Sequence, residues 1–186
     1  GGFLQLFENN SEVLHGILDA AAKQTNAPKG SLTQLSGDFY AIAMDSARAE
    51  TEGAKPLAEE LGRVAAIDSK DALVDEFARL QSLGVRVPFG FGVNQDAKQS
   101  TVMIVQLGQS GLGLPDRDYY LKADAPSVKI REQYLTHVTN MFKLTGDNDA
   151  EAAAHAQTVM DVETRLARAS MTRVERRNPE ATYHKM

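Results

Sequence analysis

Gln109-Ser110-Gly111-Leu112-Gly113-Leu114-Pro115-Asp116-Arg117-Asp118-Tyr119-Tyr120-Leu121 is too irregular for a generic helix or strand. Glycine and proline punctuate it, and it reads as a structured loop over Gly108 to Asp118. On both sides the apolar residues return at helical spacing, so this loop separates helical segments from a short stretch of strand just before it.

Upstream, Leu6, Val13, Leu14, Ile17, Leu18 and Ala21 lie three or four residues apart and predict a helix from Phe3 to about Ala22, ended by the turn chemistry of Asn26 to Gly30. A second helix is expected from about Leu32 to Glu50, with Leu35, Phe39, Ile42, Ala43 and Ser46 inward and Gly53 beyond its end. Pro56 suits the first turn of a short third helix carrying Leu57, Leu61 and Val64, because the missing amide hydrogen costs nothing there. Ser69 is placed to cap a fourth, with Leu73, Phe77, Leu80 and Leu83 on its buried side until Gly84.

The period then switches to two. Phe89, Phe91 and Val93 share one face, Asn94 to Gln99 is a polar turn, and Thr101 to Leu107 pairs back as the second arm of a hairpin. Beyond the loop, Pro126 opens a long helix with Ile130, Tyr134, Val138, Met141 and Phe142 inward, closed by Gly146. A last helix starts near Asp147 to Asp149 and buries Ala152, Ala156, Val159, Leu166 and Ala167. Asn178-Pro179 breaks any helix in the charged stretch Thr172 to Glu180. The fold class is mainly α: a lobe of about six helices with one small inserted β-hairpin.

Composition narrows function. The 186 residues are 42% hydrophobic and 24% charged, enough to bury a core, and disorder is excluded. A net charge of -5 lacks the cationic excess that a phosphate backbone demands, so small or peptide partners fit better than nucleic acid. There is no cysteine, hence no disulfide, thiolate metal site or thiol nucleophile. The longest apolar runs, near Val102 to Val105, fall short of a membrane span, and no basic, apolar leader opens the sequence; trimming of a signal segment before Gly1 is compatible with it.

No local chemical motif is complete. His15, His137, His155 and His184 are never four residues apart, as a helical zinc pair requires, so a metal site within these residues is not expected. Asp147, Asp149 and Glu151 alternate like calcium ligands but lack the glycine and the distant bidentate glutamate, and helix capping explains them. Gly108-Gln109-Ser110-Gly111-Leu112 misses the last glycine of a nucleophile elbow, and Gly90, Gly92, Gly111 and Gly113 complete no nucleotide fingerprint. Asp116, Arg117 and Asp118 read as loop anchors in preference to a hydrolytic carboxylate pair. Tyr119 and Tyr120 read as packed rings with bonded hydroxyls, and Arg173, Arg176 and Arg177 as a solvated turn.

Taken in order, five segments resemble neprilysin-type zinc endopeptidases: Ala43-Met44-Asp45-Ser46 with Gly53 and Pro56-Leu57; Pro88-Phe89 through Val93 with Asp96-x-Lys98-x-Ser100; the loop Leu112 to Tyr120; Glu163-x-x-Leu166-Ala167; and Arg176-Arg177-Asn178-Pro179 with Tyr183-His184-Lys185-Met186. The similarity covers nearly the whole chain. Two positions depart from it: Ala43 stands where extracellular animal members place cysteine, and His184 replaces the usual asparagine.

The resemblance implies two largely helical lobes around a cavity that admits peptides and excludes folded proteins. Zinc is held in that family by the histidines of His-Glu-x-x-His and a later glutamate, with the first glutamate as general base for a metal-activated water. Those motifs are not in this sequence. Residues 1–186 are therefore expected to be the N-terminal, cavity-covering region, inactive alone, partnered by the C-terminal catalytic part and by short peptide substrates. No catalytic or metal-binding residue is assigned. Gly1-Gly2-Phe3 is similar to the family's Gly-x-Phe near the primed-side pocket, which makes Phe3 the candidate substrate contact; the arginine that clamps a substrate's C-terminal carboxylate is expected before Gly1. A bacterial-type member, periplasmic or secreted in preference to cytoplasmic, is implied. Two rival readings are a non-enzymatic helical peptide- or protein-binding module and an independent hydrolase built on Asp116 or Asp118.

Overall fold

The computed structural model describes residues 2–186, which form nine α-helices, a two-stranded antiparallel sheet and short 3-10 turns. Two compact units divide the chain between Pro56 and Leu57. Gly1, the first residue of the expected Gly-x-Phe, lies outside the described residues.

In the first unit, α1 (Gly2–Ala22) packs on α2 (Leu32–Ala43). The contact centres on Gly37, which is buried because α1's backbone runs past it. A Cβ there would sit 2.5 Å from the Ala21 carbonyl oxygen. Only the last turns of the α1 stripe, Leu18 and Ala21, are half-buried; Leu6, Val13, Leu14 and Ile17 remain exposed. The single helix expected over Leu32 to Glu50 is instead two. Asp45 accepts the Arg48 amide at 2.9 Å and so starts α3 (Ser46–Glu52), an aspartate competing with the helical backbone for its own hydrogen bonds.

Pro56 lies in a 3-10 turn (Lys55–Leu57) that ends the first unit, where a first helical turn was expected, and the second unit continues into α4 (Ala58–Ala65). Ser69 caps α5 (Lys70–Ser82) by accepting the Ala72 amide at 3.1 Å. Arg79 ties α5 to α4, pairing with Glu76 at 2.7 Å and also with Glu60. β1 (Phe89–Asp96) and β2 (Gln99–Gln109) form a longer hairpin than alternation alone indicates. Asn94 and Gln95, read as turn, continue β1 opposite Ile104 and Met103, on opposite faces of the hairpin and both exposed to solvent. The irregular Tyr119-Tyr120 stretch is one helical turn, α6 (Asp118–Leu121).

Asp124 caps α7 (Ala125–Leu144), and Asn148 with Glu151 makes a capping box for α8 (Asp149–Ala169). Ala152, Ala156 and Ala167 vanish beneath α7 and α6, their small size setting the close approach of these helices. Val159 and Leu166 on α8, and Ile130, Tyr134, Val138 and Phe142 on α7, are half-buried as expected, whereas Met141 is exposed. Asn178-Pro179 does not only interrupt helix: Asn178 accepts the Glu180 and Ala181 amides, and Pro179 is the first residue of α9 (Pro179–Thr182).

Much apolar surface is left open. The chain exposes 14197 Å². Even two fully separate globular bodies of ~6 and ~14 kDa would together expose only roughly 10,000 Å². Phe91, Val93, Met103, Val105 and Leu107, which alternate onto one face of the hairpin, are 59–64% exposed. No helix among the described residues is long and apolar enough to cross a membrane.

Candidate functional site

The irregular loop after β2 is held by a single carboxylate. Glu163, two-thirds of the way along α8, accepts the Tyr120 hydroxyl at 2.7 Å, the Tyr134 hydroxyl at 3.1 Å and the Gly113 amide at 3.1 Å. Tyr120 is bifunctional, for its hydroxyl oxygen also accepts the Leu114 amide at 2.8 Å. One glutamate thus joins α6, α7, α8 and the loop. Its geometry dictates residue 113: a Cβ at Gly113 would strike the Tyr134 hydroxyl, and Glu163 Oε1 would stand 3.1 Å away. Burial, reinforced by the charge of Glu163, pushes the Tyr134 phenol up to about 12 and moves Tyr120 in the same direction, so both remain protonated donors.

Flanking residues fix the loop's edges. Gly111 has φ +85°, and a Cβ on it would approach the Pro88 Cα to 2.6 Å, so the loop and the segment just before the hairpin meet backbone to backbone. Arg117 donates from Nε to the Ala167 carbonyl at 2.9 Å, and Arg131 Nη1 donates to the Tyr119 and Lys122 carbonyls at 2.7 and 2.8 Å. Asp116 accepts the Asp118 amide at 3.0 Å and Arg173 Nε at 2.8 Å, and these donors hold its carboxyl below the usual range. Asp116 and Arg117 are therefore engaged in structure. Arg173, Arg176 and Arg177 are exposed, as a solvated turn requires, and Arg173 in addition has a specific partner 57 residues away.

A second network lies at the hairpin turn. Asp96, 2% exposed, accepts the Lys98 amide at 2.9 Å, the Tyr183 hydroxyl at 3.0 Å and the Lys185 ammonium at 3.0 Å. The Lys98 amide first, then Lys185, lower the Asp96 carboxyl to about 2. Lys98 Nζ lies 4.7 Å from the Tyr183 ring centroid and pairs with Glu180 at 2.9 Å. Two of the motifs quoted from sequence, Asp96-x-Lys98 and Tyr183-His184-Lys185, are halves of one clasp. His184 itself is exposed.

Phe3, the one candidate substrate contact, stands on the first turn of α1 with 93% of its surface exposed. The histidines do not assemble. His15 Nδ1 bonds the Tyr40 hydroxyl at 2.8 Å, and His155 Nδ1 meets Asp147 at 2.6 Å with its ring against Phe142. Among the described residues no three His, Cys, Asp or Glu side chains converge, so the donors present do not fit a zinc ion. Asp149 pairs with Lys143 at 2.7 Å, and Glu151 returns to the Asn148 amide at 3.2 Å, so these acids serve the start of α8.

Glu163 and Tyr134 are the functional-looking residues that sequence reading did not single out in these roles; the only signal was Glu163-x-x-Leu166-Ala167 as a motif.

Known proteins resemble this chain in sequence and fold. The family model described as Peptidase family M13, for the N-terminal part, matches residues 1–186. Human endothelin-converting enzyme 1 is 31% identical over 193 residues, covering 100% of this chain and 24% of the relative. A crystal structure of the Mycobacterium tuberculosis zinc metalloprotease Zmp1 with inhibitor superposes with TM-score 0.86 and 32% identity over 97% of this chain and 27% of that one. PepO from Lactobacillus rhamnosis, at 19% identity and TM-score 0.72 over 93% of this chain and 28% of that one, shares the fold. The chain spans about a quarter of the length of these relatives.

Proposed function

The chain belongs to peptidase family M13, as the N-terminal part of a neprilysin-type zinc metallopeptidase, and we propose that it roofs the cavity of a metalloendopeptidase that hydrolyses short peptides. In this reading the zinc and the general base are supplied by a C-terminal catalytic part, and residues 1–186 limit which peptides enter. Zinc would be bound outside this chain, where it would polarise the scissile carbonyl and activate water. Ala43, where extracellular animal members place cysteine, fits a bacterial-type enzyme, for which a periplasmic or secreted location is proposed in preference to a cytoplasmic one.

The uncovered apolar surface carries the proposal. The exposed stripes of α1 and α2 and the bare face of the hairpin are each patterned like an interior but meet no partner within their own unit. Such faces mark a surface that another body covers. A non-enzymatic binding module calls for a chain whose own residues close its core, and the same exposure weighs against it. Phe3, on α1's open face, is proposed to touch substrate.

The test is a fluorogenic short-peptide assay with zinc, on residues 1–186 alone and on the polypeptide carrying the catalytic part. Cleavage is expected only from the latter, with Phe3→Ala raising KM more than it lowers kcat. Strong metal-dependent cleavage by residues 1–186 alone would overturn the division of labour.

A further inference from the structure

Where the glycine loop passes the end of α8 it leaves a recess of about 390 Å³, with Arg86, Ser110, Gly111, Leu112, Asp116 and Arg176 in its wall. Its charges do not balance. Asp116 is already occupied by Arg173 at 2.8 Å and by the Asp118 amide at 3.0 Å. Arg86 and Arg176 are exposed and have no carboxylate within ion-pair distance among the described residues, whereas Arg79, Arg117 and Arg131 of the same unit bond an acid or a carbonyl. A nearby side-chain acceptor is already engaged: Gln109 Oε1 accepts the Met171 amide at 2.8 Å.

The backbone repeats the pattern. Ser110 N donates to the Pro88 carbonyl at 3.2 Å, while Gly113 N and Leu114 N are bound to Glu163 and Tyr120. Between these anchored groups, the amides of Gly111 and Leu112 have no acceptor among the described residues. Gly111 is in the left-handed region with φ +85°, the kind of backbone that turns successive N–H groups toward one point and creates an anion-binding concavity. Gly111 and Leu112 are half-buried residues with free donors, and a planar guanidinium matches an oxyanion in two places.

We propose that this recess binds a carboxylate, held by Arg86 and Arg176 and by the amides of Gly111 and Leu112. The carboxylate belongs either to a peptide's free C-terminus or to an acidic side chain of the polypeptide that covers this face. The inference stands apart from hydrolysis, and it is read without turnover, so its failure leaves the peptidase reading untouched and the converse also holds.

In the full-length polypeptide, selectively 15N-labelled at glycine and leucine, the Gly111 and Leu112 amide resonances are followed during titration with acetate, inorganic phosphate, and a tripeptide in free-acid and C-amidated forms. Saturable shifts with acetate are expected, and Arg86→Gln with Arg176→Gln weakens them roughly a hundredfold, roughly tenfold per arginine. Arg86→Lys with Arg176→Lys, which keeps the charge, retains part of the binding and controls for folding. A response to the free-acid tripeptide but not to its amidated form assigns the carboxylate to a peptide. Amides that ignore acetate in the native protein but shift on acidic-to-neutral titration, and lose that shift in the glutamine variant, assign it to the polypeptide's own acid. The proposal is overturned by phosphate binding without acetate binding, by equal response to the amidated tripeptide, or by amides indifferent to every ligand, to pH and to both substitutions.

Discussion

Removing one oxygen atom from the loop's anchor separates its two tyrosines. Tyr120→Phe deletes a hydroxyl that donates to Glu163 at 2.7 Å and accepts the Leu114 amide at 2.8 Å. The bond to an ionised acceptor contributes about 1.5–3 kcal/mol, and a stranded part-buried amide costs about 1 kcal/mol or more. The expected loss is therefore about 3 kcal/mol. Tyr134→Phe deletes one longer bond to the same carboxylate, 3.1 Å, and strands no amide. Its cost is about 1.5 kcal/mol. Native-state hydrogen exchange at the Gly113 amide reads the local opening equilibrium directly, without needing global two-state unfolding. In the full-length polypeptide Tyr120→Phe should speed that exchange about a hundredfold and Tyr134→Phe about tenfold. Because both hydroxyls end on Glu163, either substitution made on a Glu163→Gln background should add much less than it does alone. Unchanged Gly113 exchange in Tyr120→Phe, or a larger effect from Tyr134→Phe, would refute the idea that this carboxylate holds the loop.

Two further outcomes follow from other contacts. Gly37→Ala places a Cβ 2.5 Å from the Ala21 carbonyl oxygen, backbone that cannot swing away, so α1 and α2 must separate; a loss of about 2–4 kcal/mol is expected in the protection of their amides, and a neutral result would show that the two helices do not meet here. The Asp96 clasp is acid-labile in a definite window. Its folded carboxyl is depressed to about 2, so the stability it lends is fully present above the unfolded value of about 4 and is lost as pH falls through about 2. Exchange of the Lys98 amide between pH 5 and 1.5 should show that loss, and Asp96→Asn should abolish the step; release centred near pH 4 would contradict the network drawn around Asp96.

Local pattern carried a good deal of this fold. The α8 face of Ala152, Ala156, Val159, Leu166 and Ala167 and the alternating Phe89, Phe91 and Val93 were legible because period alone places them. Asp45 was not, since a cap inside an apolar-periodic run leaves the period intact while breaking the helix. The networks were hidden for a different reason. Glu163 meets groups 29, 43 and 50 residues away, and Asp96 meets groups 87 and 89 away. Such partners are chosen by tertiary packing, which no spacing rule encodes. For the same reason nothing in the sequence shows that Arg173, solvated as its charged surroundings indicate, also pairs with Asp116.

The alanines of α8 work as a spacer of fixed thickness. With methyl groups at 152, 156 and 167 fully enclosed, there is no side-chain bulk left to trim and no room for more. Any larger residue would push α8 outward and carry Glu163 with it, withdrawing the oxygen atoms on which the loop hangs. Drift at these positions is thereby coupled to the shape of a loop tens of residues away, and the chain can vary its solvent face far more freely than this inner one.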